Sequence, residues 1–447
     1  MLPYKKITVL GLGKTGVSIA NYFAQKGAAV FVSDSGKTEV VKPNINKLNK
    51  SIKYETGSHT DKVLDCELIV RSPGIAHDLP VLIKARKKGI EVLSEIEVAS
   101  RLIRPKVLIA ITGTNGKTTT TTLVGEIFKN AGFKTVVAGN IGTPLIDFAD
   151  KIDSKTAVVL EVSSYQLEDI EHFKPDISCI LNITPDHLEH HKTMANYIKA
   201  KAKIFSNQDK NDCCILNYDD KYCRKLKNTC KASAVYFSLK KKTSNGIYCD
   251  RKTNTVYVNA FSKKISFPVT LKIPGRHNIE NALAALACGL GAGLKPGNII
   301  KTLESFEGVE HRIEFVRDLN GVRYINDSKS TNVDSTYVAL ESFEKNIILI
   351  MGGRHKGAPY TPLKKLVKTK VKKLLLIGEA IKAIKKDLSG TADIIVSGDM
   401  GSALKYSKAN AVKGDVVLLS PGCASFDQFK NYEHRGEVFK QLVNKLK

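Results

Sequence analysis

No stretch of this 447-residue chain approaches the roughly 18 apolar residues that a membrane-spanning helix requires, so no membrane attachment is expected. A removable leader is not expected either. The apolar start Lys5-Lys6-Ile7-Thr8-Val9-Leu10 is interrupted by Gly11, Gly13 and Lys14, and no small-residue cleavage site follows; it reads as a first strand. Arginine is scarce, at 12 of the 69 basic residues, and aromatic residues make up only 7%. Both shortages argue against a nucleic-acid partner, although the formal charge is +25. The lysines are spread along the chain, with short runs at 240–242 and 364–373, and read as solvated faces whose positive field favours anionic substrates such as nucleotides. The nine cysteines include no CxxC pair, and Cys66, Cys179 and Cys288 sit in apolar runs. That pattern argues against a structural zinc site and predicts free thiols in a reducing compartment. No repeat of fixed period and no low-complexity tract is present.

What is there is a rhythm. Short apolar runs end in Gly or Ser/Thr-rich punctuation and pass into helical stretches: Ile7–Leu10, Val107–Ile111, Ala157–Leu160, Ile177–Leu181, Ile347–Met351, Leu374–Ile377 and Val416–Leu419. Strands alternating with helices predict an α/β protein built of βαβ units and mostly parallel sheets. Ligands gather beyond the carboxyl ends of such strands. The length implies several domains, and three blocks emerge at 1–97, 98–308 and 309–447. The middle block also holds Tyr248–Val258 and Ile265–Leu271, which alternate like antiparallel strands.

The sharpest motif follows the run Val107–Ile111. The segment Gly113-Thr114-Asn115-Gly116-Lys117-Thr118-Thr119 reads as a Gly-rich turn opening a helix, whose backbone N–H groups point at phosphate oxygens. Lys117 can neutralise the β- and γ-phosphates, and Thr118 can place its hydroxyl on Mg²⁺. The strict phosphate-loop pattern requires Gly at 111, where this chain has Ile111. A second motif, Gly11-Leu-Gly-Lys-Thr-Gly16 with Asp34 further on, has the spacing of a dinucleotide fingerprint. By itself it equally describes a tight strand-to-helix turn. Ser72-Pro73-Gly74 forms another turn on the same side, and a uridine or NAD phosphate could sit between the two.

Further strand ends carry polar groups. Glu161, Asp186 and His187 lie downstream of the phosphate loop and could reach its Mg²⁺, an ion that takes oxygen ligands and few carboxylates. Taken alone, Glu161 reads equally as a surface carboxylate, and His187, His190 and His191 as a solvated turn. Gly275-Arg-His-Asn-Ile-Glu-Asn281 leads into the helix Ala282–Leu290, with Asn278 and Asn281 on one face; amides there suit a base edge or a plain cap. Asn326–Asn332 and Ser420–Tyr432 follow apolar strands and are dense in hydrogen-bonding side chains.

Together these residues resemble the Mur ligases of peptidoglycan synthesis nearly end to end. The elements that carry the likeness are Ile111–Thr118, Glu161-Val-Ser-Ser164, Gly275–Asn281, His311-Arg312, Asn326-Asp-Ser-Lys329 and Ser420–Tyr432. The last segment, with the pairing of Gly11–Gly16 and Ser72–Gly74, looks most like the member that adds D-glutamate to UDP-N-acetylmuramoyl-L-alanine. The Asn-Pro-Arg signature of the diaminopimelate-adding member is absent. The resemblance implies a Rossmann-like N-terminal domain for the UDP substrate and a central phosphate-loop ATPase domain whose mostly parallel sheet is joined by a small antiparallel one. A Rossmann-like C-terminal domain would close on nucleotide and amino acid. It implies ATP, two Mg²⁺ ions, an acyl-phosphate intermediate, a cytoplasmic monomer, and those two small-molecule substrates as partners. Thr118, Glu161, His187 and a carbamylated Lys201 would hold metal, with Lys199 and Lys203 as rivals of Lys201. Asn140 would position substrate. Gly113 to Thr119, Asn281, Arg312, Asp327 and Lys329 would meet ATP. Lys14, Thr15, Asp34, Ser35, Ser72 and Gly74 would face UDP. Thr331, Lys356, Ser425, Phe426 and Tyr432 would form the D-glutamate pocket, with Tyr432 standing where Phe is common.

Three other readings compete. A nicotinamide-dependent dehydrogenase rests on Gly11–Gly16 and leaves Gly113–Thr118 unexplained. A basic nucleic-acid-binding ATPase rests on the +25 charge. A sister Mur ligase or a folylpolyglutamate synthase differs only in acceptor or amino acid.

Overall fold

Each apolar run named above forms a strand in the computed structural model, which describes residues 4–140, 142–273, 275–355 and 357–447. The chain forms two compact units. One comprises the residues up to Thr270 together with Glu280–Glu304, the other Leu271–Ile279 with Ser305–Lys447.

The first unit holds two sheets. In one, β1 (Lys6–Leu10), β2 (Ala29–Asp34), β3 (Lys53–Thr56), β4 (Leu68–Arg71) and β5 (Glu91–Ser94) run parallel in the order β3-β2-β1-β4-β5. The order reverses between β1 and β4, and their carboxyl ends deliver Gly11–Gly13 and Ser72–Gly74 side by side. The other sheet has nine strands: β6 (Val107–Thr112), β7 (Lys134–Gly139), β8 (Thr156–Glu161), β9 (Ile177–Ile180), β10 (Cys213–Asn217), β11 (Ser233–Ser238), β12 (Gly246–Asp250), β13 (Thr255–Ala260) and β14 (Lys263–Pro268). Their order is β14-β13-β12-β11-β10-β9-β6-β8-β7. Strands β6 to β12 pair in parallel, and β13 and β14 pair antiparallel. The small antiparallel part expected from the sequence is therefore an extension of the parallel sheet. The reason is visible in the register: β12 adds in parallel to the free edge of β11, Tyr236 against Gly246, before the chain turns back. The run Tyr248–Val258 is two strands and a turn.

Burial follows position. Strand β8, TAVVLE, is buried at every residue, as a strand covered on both faces must be. Strand β14, at the edge, is largely exposed and carries Lys263 and Lys264, charges that discourage edge pairing.

Charged groups join the two sheets of this unit. Arg71, at the end of β4, is buried and ion-paired with Asp169, and with Glu168 at 3.1 Å. Glu97, buried on the helix Glu95–Leu102, accepts backbone N–H bonds from Glu171 (3.0 Å), His172 (3.1 Å) and Phe173 (2.8 Å) and one from Arg101 Nε (2.6 Å). Removing one side of such a buried array strands the other, at a cost of about 3–5 kcal/mol.

The second unit holds β15 (Glu314–Leu319), β16 (Val322–Asn326), β17 (Ile347–Gly352), β18 (Val371–Ile377), β19 (Asp393–Gly398) and β20 (Val416–Leu419) in the order β15-β16-β20-β17-β18-β19. Only β15 is antiparallel. Apolar clusters cover both faces of this sheet. Among the described residues no helix is long and apolar enough to cross a membrane. All nine cysteines are free, with Cys66 and Cys230 half-buried and the rest buried.

Glu95 generates a test. It is fully buried; Oε1 accepts the N–H of Ile146 at 2.9 Å and Oε2 has no partner. Burial pushes its carboxyl up to about 7. The folded state therefore holds a proton that the unfolded chain releases near pH 4.5. This contribution to stability is complete below about pH 4.5 and is lost as pH rises through about 7. Glu95→Gln is expected to flatten that slope and to stabilise the protein at pH 8 by the order of 3 kcal/mol, measured by urea denaturation across the pH range.

Candidate active site

Strand β6 lies between β8 and β9, so its carboxyl end is flanked by two others and nothing there can be satisfied by a sheet edge. Ile111 is fully buried within β6 and pairs with Glu161. This is why glycine is not needed at 111: the chain leaves the strand only after Thr112. Gly113 then takes φ +156° and a Cβ there would lie 3.0 Å from Leu181 Cβ. Gly116 caps the helix Lys117–Asn130 at φ +85°, a left-handed conformation, and a Cβ would press on Asn281 Oδ1.

The loop is held from outside. Thr114 N donates to Asn182 O (2.9 Å), Asn115 N to Asn182 Oδ1 (2.8 Å), and Asn182 Nδ2 to Asn115 O (3.0 Å). Thr114 Oγ1 is 3.1 Å from Tyr197 OH. Asn182 and Tyr197 are supports that sequence reasoning missed. Lys117 Nζ donates to Gly113 O (3.0 Å) and Thr114 O (2.8 Å). Thr118 and Thr119 are buried in the first turn of the helix. Asn281 is buried, and its Oδ1 accepts from Thr120 Oγ1 at 3.2 Å.

Around this loop the structure gathers Glu161, Asn140 and Lys201. Glu161 is buried at 3% exposure; Oε1 accepts from Asn140 Nδ2 at 2.9 Å and Oε2 has no hydrogen-bond partner. It is not a surface carboxylate. Lys201 is buried, and its Nζ donates to Gly113 O at 2.8 Å and lies 4.6 Å from the Tyr197 ring centroid. Burial, and then the charge of Lys117, hold its amine well below the usual lysine range. Of its rivals, Lys199 is exposed and Lys203 bonds the carbonyl of Glu168. His187 stands at φ +53° beside Asp186, with its ring 5.1 Å from Tyr165. The solvated-turn reading fails for His191, which is buried against Ser164 Oγ at 2.9 Å because Tyr165 and Tyr197 pack around it. Burial lowers its imidazole to about 4.

At the first sheet, Asp34 accepts from Leu12 N (2.6 Å) and Gly36 N (2.7 Å), so it braces the Gly11–Gly16 turn. Ser72 Oγ donates to Gly11 O at 3.3 Å, joining the two turns. Lys14 Nζ reaches Gly142 O at 2.5 Å, Ser35 and Gly74 are exposed, and Thr15 is half-buried.

In the second unit Asp327 is fully buried and accepts from Ser330 Oγ (2.5 Å), Ser420 Oγ (2.7 Å) and Ile313 N (3.2 Å); burial raises its carboxyl to about 6. Lys329 Nζ lies 5.7 Å from the Tyr432 ring, and Thr331 N donates to Lys329 O. Arg312 is half-buried, Ser425 buried and Phe426 62% exposed. Lys356 lies outside the described residues. The residue that organises this region is one the sequence reading passed over. Arg435 is fully buried and donates to Ser328 Oγ (3.0 Å), Ser328 O (2.8 Å) and Cys423 O (3.2 Å). It ties Asn326–Asn332 to Ser420–Tyr432. An arginine on the buried face of an otherwise amphipathic helix is the signal that could have found it.

Comparisons with known proteins bear on this arrangement. Residues 5–94 match the family description "Mur ligase MurD-like, N-terminal domain", 111–289 "Mur ligase middle domain" and 311–423 "Mur ligase, glutamate ligase domain". The UDP-N-acetylmuramoylalanine--D-glutamate ligase of Koribacter versatilis is 45% identical over 445 residues, 99% of this chain and 98% of that protein. The chain belongs to the Mur ligase family. The enzyme of the same name from Clostridioides difficile is 43% identical over 450 residues, 99% of both chains. Among solved structures, the Thermotoga maritima UDP-N-acetylmuramate-alanine ligase MurC aligns with TM-score 0.61 at 21% identity, covering 99% of this chain and 100% of the other. MurF from Acinetobacter baumannii aligns with TM-score 0.60 at 17% identity over 99% and 94%; both share the fold.

The donors of this Mur ligase suit a hard cation. A buried carboxylate oxygen without a partner, on Glu161 beside a phosphate loop, is costly unless a cation or donor meets it. Replacing Gly116 by alanine would combine a left-handed φ with contact against Asn281. Nucleotide affinity is expected to fall at least tenfold with the circular dichroism spectrum unchanged, measured with a fluorescent ATP analogue.

Proposed function

We propose that this enzyme joins D-glutamate to UDP-N-acetylmuramoyl-L-alanine, using ATP to activate the acceptor carboxylate, in cytoplasmic peptidoglycan precursor synthesis. The observation that carries the reading is the phosphate loop Gly113–Thr118 with buried Glu161, Asn140 and Lys201 around it. Full-length identity of 45% to a relative named for that reaction supports the choice of substrates.

A carboxylate is a poor electrophile, so the acceptor must first be phosphorylated. Phosphoryl transfer needs positioning and charge neutralisation more than covalent help. The backbone N–H groups of Gly113–Thr118 cradle the phosphates and Lys117 neutralises them. Asn140, oriented by Glu161, positions the acceptor carboxylate. The D-glutamate amine then attacks the acyl phosphate and phosphate leaves. Thr118, Glu161, His187 and carbamylated Lys201 would hold two Mg²⁺ ions, which supply further neutralisation of the phosphates. Burial, and then the charge of Lys117, lower the Lys201 amine, which favours the neutral form that condenses with CO₂; carbamylation converts it into an oxygen ligand suited to a hard ion. The turns at Gly11–Gly16 and Ser72–Gly74 take the UDP moiety. Asp327, Lys329, Arg312 and Asn281 contact nucleotide, and Thr331, Lys356, Ser425, Phe426 and Tyr432 bind D-glutamate. We assign the three blocks 1–97, 98–308 and 309–447 to UDP substrate, ATP and amino acid, working as a monomer.

Release of ADP and phosphate is expected only when UDP-N-acetylmuramoyl-L-alanine and D-glutamate are present together. Stimulation by L-lysine, meso-diaminopimelate or L-glutamate in place of D-glutamate would sink the specificity assignment. ¹³C-bicarbonate is expected to label a carbamate resonance in the wild-type protein that is lost in Lys201→Arg; a resonance that survives the substitution assigns the carbamate elsewhere.

A further inference from the structure

The first unit carries a group of imidazoles that the ligase reaction leaves unused. His77 lies between Gly74 and the helix Pro80–Lys87, Glu168 ends the helix Ser164–Glu168, and His190 sits in the short helix Leu188–His191. One ligand atom from each lies within 4.8 Å of the other two. His190 Nε2 is 2.7 Å from Glu168 Oε1, and the His77 and His190 ring centroids are 6.0 Å apart. The three line an open cavity of about 280 Å³.

The carboxylate among them is held in place from behind. Glu168 Oε2 is paired with the guanidinium of buried Arg71 at 3.1 Å, which leaves Oε1 facing the imidazoles. A fixed carboxylate with two imidazoles on separate backbone segments is the donor set of a borderline divalent ion with one position open to solvent. We propose that His77, Glu168 and His190 form a binding site for one Zn²⁺-class transition ion, separate from the phosphate loop. Tetrahedral zinc bonds of about 2.0–2.2 Å place ligand atoms about 3.4 Å apart. The separations here, from 2.7 Å to no more than 4.8 Å, bracket that value, so rotamer adjustment suffices. The ion replaces the hydrogen bond between His190 Nε2 and Glu168 Oε1, and water takes the fourth position. Mg²⁺ competes weakly, because two of the three donors are imidazoles and it prefers a set dominated by oxygen. Lys199 and Lys203 line the same cavity and oppose a dication, so binding is weaker than at a structural zinc site. The bound ion ties the segment after β4, which begins at Ser72, to the nine-stranded sheet. This inference stands independently of the ligase substrates.

The test is a Co²⁺ titration of the full, tag-free chain in excess Mg²⁺, read by visible absorption. One equivalent is expected to give the d–d bands of four-coordinate cobalt, bleached by Zn²⁺. His77→Ala and His190→Ala are each expected to weaken binding at least tenfold. His77 is exposed, so His77→Ala retains the fold by circular dichroism and carries the test even if the other variant is unstable. Absence of the bands overturns the proposal, as does cobalt binding that His77→Ala leaves unchanged, which would place the ion elsewhere, for instance on the cysteines.

Discussion

The unpartnered carboxylate oxygen of Glu161 is the constraint on which the region around Gly113–Thr118 turns. A buried carboxylate is tolerated only where something compensates it. Here Asn140 donates to one oxygen and the other has no hydrogen-bond partner. Strand β8 must be apolar to fill the sheet and yet end in an acid. Its neighbour β6 must end in a loop that offers N–H groups. The parallel register that sets Ile111 against Glu161 makes these two demands meet.

The same logic of compensated burial recurs elsewhere. Lys201 is buried against a carbonyl and an aromatic face with no acid paired to it among its described contacts. Asp327 and Arg435 are buried within a few residues of each other's loops, each satisfied by serine hydroxyls and backbone. Arg71 and Glu97 differ in kind. Each has several partners, and they serve to join one sheet of the first unit to the other. Arg71 and Glu97 are fully partnered and fix architecture, whereas Glu161 is left incompletely partnered.

The strand–helix rhythm and the turn at Gly113–Thr118 were legible because both depend on local pattern: apolar runs of strand length, and glycines where the backbone must turn sharply. Ile111 departs from the strict loop pattern and proves to be a buried residue within β6, which a sequence cannot distinguish from a loop residue. The antiparallel segments were visible as alternation, but their merger into the nine-stranded sheet was not, since parallel pairing of β12 with β11 is a long-range choice. Asn182, Tyr197 and Arg435 were missed because each acts through contacts far away in sequence.

Residue order alone therefore determined the α/β class, the Gly-rich turn at Gly113–Thr118 and, through resemblance, the family. These rest on spacing within a few residues or on motifs that read along the chain. The tertiary structure decided which of Lys199, Lys201 and Lys203 points at Gly113, that Glu161 is buried, that His191 is in the core, and that His77 meets His190. Burial and proximity across more than a hundred residues arise only when sheets and helices pack, and no local pattern encodes them.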